Sequence, residues 1–326
     1  MPGGKPILKA AARAIFHQAG GLHVVRWMNR KGLRILMYHR FSNPVDLESQ
    51  CRHIRQYYAP VSLDQVDRWL GGGDPLPSNA IAVTVDDGYR DFGKVAYPVF
   101  CAWGIPVTVY LVSDFLDGAL WLWVDQVRFG FLQSPLQQFR AELPGGTTLE
   151  FRLDSRARRL AAARETCEAL KRLSNADRLA ALDCLPRWLE VELPEAPPEE
   201  DAPLGWDDVR QMAGSIATFG AHTRTHPVLS RLPAKEELRG EIEGSQRRME
   251  EMLDRPVAHF CYPNGGPGDI TPECIEAVQR AGFHTAVTTI TGLNDRRADR
   301  YTLRRIGVEP GLDPLYFRQC AAAFRV

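Results

Sequence analysis

IAVTVDDGYRDF, residues 81–92, runs an apolar stretch directly into two aspartates and a glycine. Its Val, Ile and Thr content favours a strand. Gly88 permits a tight turn straight after it, which puts Asp86 and Asp87 at the strand's exit. In parallel α/β architectures, reacting groups collect at that end of the strands. Two neighbouring carboxylates repel each other unless a cation neutralises one and leaves the other as a base near it. A plain Asp-Gly turn with capping acids is the bland alternative, and the stretch alone fits both.

The same punctuation recurs outward along the chain. Apolar runs at 33–38, 107–112, 217–220, 258–262, 285–289 and 303–308 read as further strands, separated mostly by helical stretches. This alternation predicts an α/β fold. Between about 130 and 200, RARRLAAARETCEALKRL (156–173) and ADRLAALDCLPRWLEV (176–191) carry apolar residues at helical spacing, closed by the linker-like PEAPPEED (194–201). That region reads as a helical insertion in a unit spanning 33–326. No repeat recurs through the chain.

FGAHTRTHPVLSRL, residues 219–232, separates His222 from His226 by three residues. One helical turn would bring both imidazoles to one cation. Two histidines and a carboxylate leave a position open for water, as catalytic rather than structural zinc sites do. A pair of surface histidines has the same spacing.

Composition narrows the partners. The 326 residues balance 40 Lys and Arg against 40 Asp and Glu, so no basic excess points to nucleic acid. Cys51, Cys101, Cys167, Cys184, Cys261, Cys274 and Cys320 are scattered, odd in number and never spaced CxxC, which implies neither a disulfide framework nor a zinc knuckle. With no membrane-spanning apolar run and no apolar core of a secretory signal, the expected location is cytoplasmic. Residues 1–45 nevertheless hold no acid. Lys5, Lys9 and Arg13 recur every fourth residue, with Leu8, Ala12, Ile15, Phe16 and Ala19 on another side. Residues 1–32 thus read as a basic amphipathic helical segment. It either lies on anionic lipid, placing the protein peripherally at an inner membrane through residues 1–30, or packs against its own domain.

Taken together, the aspartate and histidine motifs resemble those of the polysaccharide deacetylases, the NodB-homology group that forms carbohydrate esterase family four. TVDDG at 84–88 is similar to their TFDDG, with Val85 in place of Phe, and HTRTHP at 222–227 fits their H-[S/T]-x-x-H-P. The resemblance covers about 33–310 and implies a distorted (β/α)7 barrel carrying the helical insertion. It implies Asp86 as general base, and Asp87, His222 and His226 as ligands of a divalent metal, with zinc expected.

Two further motifs depart from that pattern. FCYPNGG at 260–266 retains only Tyr262 and Pro263 of R-x-P-Y, whose Tyr amide holds the oxyanion in relatives. The motif Arg is missing: either Arg304 or Arg305 in YTLRRIGV (301–308) orients the base instead, or the base is less finely tuned. No L-x-L-H stands near the C-terminus. RILMYHRF (34–41) places His39 at a strand end and resembles the rearranged members that deacetylate poly-N-acetylglucosamine. His39 is therefore expected as general acid, against the plainer reading of a rim histidine bonded to a carbonyl. His284 and His259 are weaker candidates. Trp121 and Trp123 in LWLWVDQV (120–127) read equally as a stacking wall for a sugar or as core.

The implied activity is metal-assisted hydrolysis of the N-acetyl amide of an amino sugar, with an N-acetylated glycan or lipid-linked sugar as partner. No GxSxG and no activated cysteine suggests a covalent route. Two other readings stay open: a metal-dependent hydrolase of small non-sugar amides, and a glycan-binding protein without turnover.

Overall fold

In a computed structural model of the protein, residues 20–324 are described. The expected helix over 1–32 therefore falls mostly outside the described residues, which begin with α1 (Gly21–Met28). The strands are β1 (Arg34–Tyr38), β2 (Ala59–Pro60), β3 (Ala80–Val85), β4 (Val107–Leu111), β5 (Gln138–Glu142), β6 (Thr148–Arg152), β7 (Ala217–Ala221), β8 (His259–Cys261), β9 (Thr285–Thr291) and β10 (Leu303–Gly307).

Seven of these strands close a parallel ring. The order runs β1, β10, β9, β8, β7, β4, β3, and β3 pairs back onto β1 with Leu36 opposite Val83. The two-residue β2 adds to the start of β3. This is the expected (β/α)7 barrel, and each run read as a strand supplies one stave. Helices α2 (Pro44–Tyr57), α3 (Leu63–Leu70), α4 (Tyr97–Trp103) and α5 (Ser113–Leu116) follow the early strands. Asn43 caps α2 ahead of Pro44, and Ser62 with Gln65 forms a capping box on α3, so both begin where local chemistry dictates.

Strand alternation divides the apolar residues between two layers. Ile35, Ala82, Tyr110, Cys261, Val287 and Leu303 belong to an inner cluster that Leu63, Val66 and Trp69 of α3 complete. Leu36, Val83, Val109, Phe219, Phe260 and Ile306 belong to the larger outer cluster with the helices. Gly220 is where the inner layer needs its glycine: an added Cβ would lie 2.7 Å from both the Tyr110 ring and the His259 carbonyl.

The inserted region is not purely helical. After α6 (Trp123–Gln133), β5 and β6 form an antiparallel hairpin, Phe139 opposite Phe151, turning through Gly145 and Gly146 at positive φ. Period-two burial of Phe139 and Ala141 drives this pairing, which propensity over the long helical stretch obscures. The hairpin packs with α6, α7 (Arg156–Leu170) and α8 (Asn175–Leu189) around a core of its own that includes Val127, Phe131, Leu149, Leu170 and Leu189. The chain then continues through α9 (Trp206–Met212), α10 (Lys235–Leu253), α11 (Pro272–Arg280) and α12 (Pro314–Ala321).

Candidate active site

The ladder carries β3 one residue past its end, where the Asp86 amide donates to the Tyr38 carbonyl. Asp86 keeps the inward phase of Ala82 and Thr84. At Asp87 the backbone turns left-handed, φ 73°, and Gly88 follows at 85°. A Cβ at Gly88 would meet Leu111 Cδ2 at 2.7 Å, on a backbone whose positive φ already disfavours any side chain. This turn leaves both carboxyl groups buried at the barrel's catalytic rim.

His222 continues β7 in the same way, its amide donating to Leu111. Its Nδ1 lies 2.7 Å from the Cys261 carbonyl. A carbonyl only accepts, so Nδ1 carries a proton and Nε2 is the nitrogen turned toward Asp87. The pair His222 and His226 does not sit on a helical turn as the spacing suggested. Thr223 and His226 have φ of 67° and 58°, and the loop between is tied down by Glu241, whose carboxylate accepts from the Arg224 and Thr225 amides. The Trp123 indole N–H donates to the His226 carbonyl at 3.1 Å.

Both imidazoles face one oxygen. His222 Nε2 and His226 Nε2 are 3.4 and 3.5 Å from Asp87 Oδ1. That oxygen is buried and has no hydrogen-bond partner, and the three donor atoms lie within 4.8 Å of one another. An orphaned carboxylate oxygen facing two imidazole nitrogens fits a divalent cation of the His2Asp type. Burial opposes ionisation of Asp87, but the imidazoles of His222 and His226 facing it hold its carboxyl below the usual carboxylate range. Burial pushes His226 down to about 3, leaving it neutral and ready to donate a lone pair. A second donor group, Asp86, His222 and Cys261, shares the rim. It suits a cation poorly, because Asp86 already has Arg305 and burial pushes the Cys261 thiol up, keeping its proton on.

Arg305 answers the missing motif arginine from another strand. Its Nη1 and Nη2 lie 2.6 and 2.7 Å from the two Asp86 oxygens, while Nε donates to the Thr288 carbonyl at 2.8 Å. Burial opposes ionisation of Asp86, yet the Arg305 charge keeps its carboxyl below the ordinary value. A register shift between Leu303 and Arg305 bends β10 there. Arg304 takes the opposite phase, exposed and against Gly292, and does not reach Asp86. His39 Nε2 stands 3.7 Å from Asp86 Oδ2 with its side chain 45% exposed, so this imidazole faces both the carboxylate and the open cleft.

Four expected positions are corrected by the geometry. The Tyr262 amide already donates to the Val287 carbonyl and its ring is buried, so neither group is free for an oxyanion. Pro263 has no amide proton to offer. The first unclaimed amide beyond β8 is that of Asn264, held at φ 61° and donating to no protein group among the described residues. The Asn-Gly pair at 264–265 was the available turn signal. Trp121 and Trp123 form no exposed wall: both are buried, Trp121 edge-on to Phe129 and Trp123 within the inserted core.

A partly buried network escaped the sequence reading altogether. Tyr89 donates to Asp125 at 2.5 Å, and the Arg40 guanidinium lies 3.9 Å above the Tyr89 ring. Arg40 also pairs with Asp91 and Asp201 at 2.9 and 3.1 Å, and Arg128 bonds Asp201 as well. The inserted region is thereby tied to the residue that follows His39. Burial and the Asp201 charge push Asp125 up to about 6.

Comparisons with known proteins bear on the family and the fold. A family model described as polysaccharide deacetylase matches residues 164–286, which include His222 and His226. The poly-beta-1,6-N-acetyl-D-glucosamine N-deacetylase of Escherichia coli K12 is 36% identical over 73 residues, 22% of this chain and 10% of that protein's length. Among solved structures, the deacetylase PplD of Streptococcus pyogenes superposes with a TM-score of 0.58 at 16% identity, covering 89% of this chain and 98% of that one. IcaB from Ammonifex degensii gives 0.56 at 18% identity, covering 90% and 96%. The barrel is thus the fold of the NodB-type deacetylases.

Proposed function

On the premise that the chain carries a polysaccharide deacetylase domain on a NodB-type (β/α)7 barrel, we propose that it is a metal-dependent hydrolase removing the N-acetyl group of an amino sugar in a glycan or glycan precursor. The observation that carries this reading is Asp87 Oδ1, buried, without a hydrogen bond, and faced by two imidazole nitrogens. A divalent cation held by Asp87, His222 and His226, for which zinc is the natural choice, would supply Lewis acidity toward water and the acetyl carbonyl.

The chain's own groups account for the rest. Asp86, ionised and held by Arg305, takes the proton of the attacking water. The Asn264 amide offers a donor to the oxyanion. His39, across the cleft rim from Asp86, hands its proton to the departing amine, so acetate and a free amino sugar leave. Expected partners are an N-acetylated oligosaccharide or a lipid-linked sugar, and the expected compartment is the cytoplasm.

The test pairs metal analysis of the purified protein with acetate release from N-acetylglucosamine oligomers by wild type, Asp86→Asn and His39→Ala. Stoichiometric metal with activity lost in both variants supports the reading. A metal-loaded wild type that releases no acetate from any N-acetylated sugar would overturn it.

A further inference from the structure

The end of the barrel opposite the catalytic rim carries a feature the hydrolysis does not use. Helix α1 delivers the chain to the start of β1, where Leu33 bridges to Asn294. One side of α1 packs inward through Leu22. Val24, Trp27 and Met28, spaced i, i+3 and i+4 and so sharing the other side, are 57, 63 and 68% exposed. A surface helix ordinarily turns its apolar stripe inward; this one turns a second stripe outward.

Cations border that stripe. The Arg30 guanidinium lies 4.3 Å over the Trp27 ring, Arg26 lies 4.3 Å over Tyr57, and Lys31 is exposed. A cavity of about 570 Å³ extends the face from Met28 to Arg297 and Arg304. Its acids, Asp295 and Asp299, accept from the Arg297 and Tyr301 amides. Residues 1–33, ahead of β1, carry six cations and no acid.

We propose that this face docks on an anionic lipid surface, with Val24, Trp27 and Met28 entering the headgroup boundary and Arg26, Arg30 and Lys31 meeting lipid phosphates. Charge decides the occupant. Beside Asp295 and Asp299 the face carries Arg26, Arg30, Lys31, Arg297 and Arg304, so cover by the chain's own first residues would add Lys5, Lys9 and Arg13 to a surface already in cationic excess, and a second copy would repeat that clash. The five residues of β1 put about 17 Å between this face and His39, so the cleft opens away from the bilayer and, of the two expected partners, suits the oligosaccharide over the lipid-linked sugar.

The full-length protein is floated with vesicles of phosphatidylcholine alone, and with vesicles in which a third of the lipid is phosphatidylglycerol. It is expected to float only with the anionic vesicles and to be released by high salt. Trp27→Ser should lower partitioning about tenfold. Arg30→Gln with Lys31→Gln should lower it about twenty-fivefold, at about fivefold per cation. Thermal melting of both variants should stay close to wild type, since Trp27 and Lys31 are exposed and the Arg30 guanidinium rests on Trp27. A wild type that stays unbound, or binding that survives all of these substitutions, overturns the proposal. So does a fall in oligomer size on Trp27→Ser, which would assign the face to a second copy, or a gain in protease sensitivity of the first residues, which would assign it to the chain's own start.

Discussion

Arg305 grips both carboxylate oxygens of Asp86, at 2.6 and 2.7 Å, from a strand separated from β3 only by β1. The pair is fully desolvated, so its energetic signature lies in what happens when one member is lost.

Arg305→Met should cost about 3 to 5 kcal/mol in urea unfolding, because it strands a buried carboxylate. Adding Asp86→Asn should recover part of that loss without restoring turnover. Asp86→Asn alone should cut kcat about a hundredfold to ten-thousandfold. Unchanged stability in Arg305→Met would mean that the pair does not persist in solution.

His39 should matter in proportion to how badly the leaving group needs a proton. His39→Ala is expected to slow N-acetyl amide hydrolysis about a hundredfold or more. 4-Nitrophenyl acetate, whose phenolate departs unprotonated, should be turned over nearly as before. Equal losses on both substrates would remove the acid role.

Chelated protein should be inactive and should melt lower than the zinc-loaded form. Zinc at about a thousandfold above its Kd stabilises a folded site by about 4 kcal/mol. The same addition should leave the melting of Asp87→Asn almost unmoved, since Asp87 supplies the oxygen both imidazoles face. A wild type whose melting ignores zinc would show that the three groups hold no such ion.

Asp125 should make the fold weaken as pH rises. Its folded value of about 6 stands above the ordinary 3.8, so the native chain holds this proton more tightly than the unfolded chain does. Its contribution is full below about pH 4 and is lost by about pH 6, a change of order 3 kcal/mol. Asp125→Asn does not titrate, so the variant should gain on wild type across that window in urea unfolding. A constant difference between the two proteins at all pH values would contradict this.

Much of the architecture could be read in advance because each stave is an apolar run and the chemistry stands one residue past its end. Even the choice between Arg304 and Arg305 had a signal: on a strand, Arg305 shares its side with the apolar Leu303. The rest depends on tertiary partners. Whether the Tyr262 amide is free turns on where Val287 falls in the next strand. The hairpin of β5 and β6 was masked by helix-forming neighbours, although Pro144, Gly145 and Gly146 marked its turn. The network of Arg40, Tyr89, Asp125 and Asp201 joins residues far apart in the chain, and no local pattern announces it.

Asp87, Thr223, His226 and Asn264 all hold a left-handed backbone that side-chain-bearing residues avoid. Each conformation costs on the order of 1 kcal/mol or more and persists only because the surrounding barrel imposes it. The motifs are therefore not portable. TVDDG and HTRTHP grafted onto another scaffold would relax to ordinary φ and point their donors apart, so a designer borrowing this centre must borrow the strand exits and the packed loops with it.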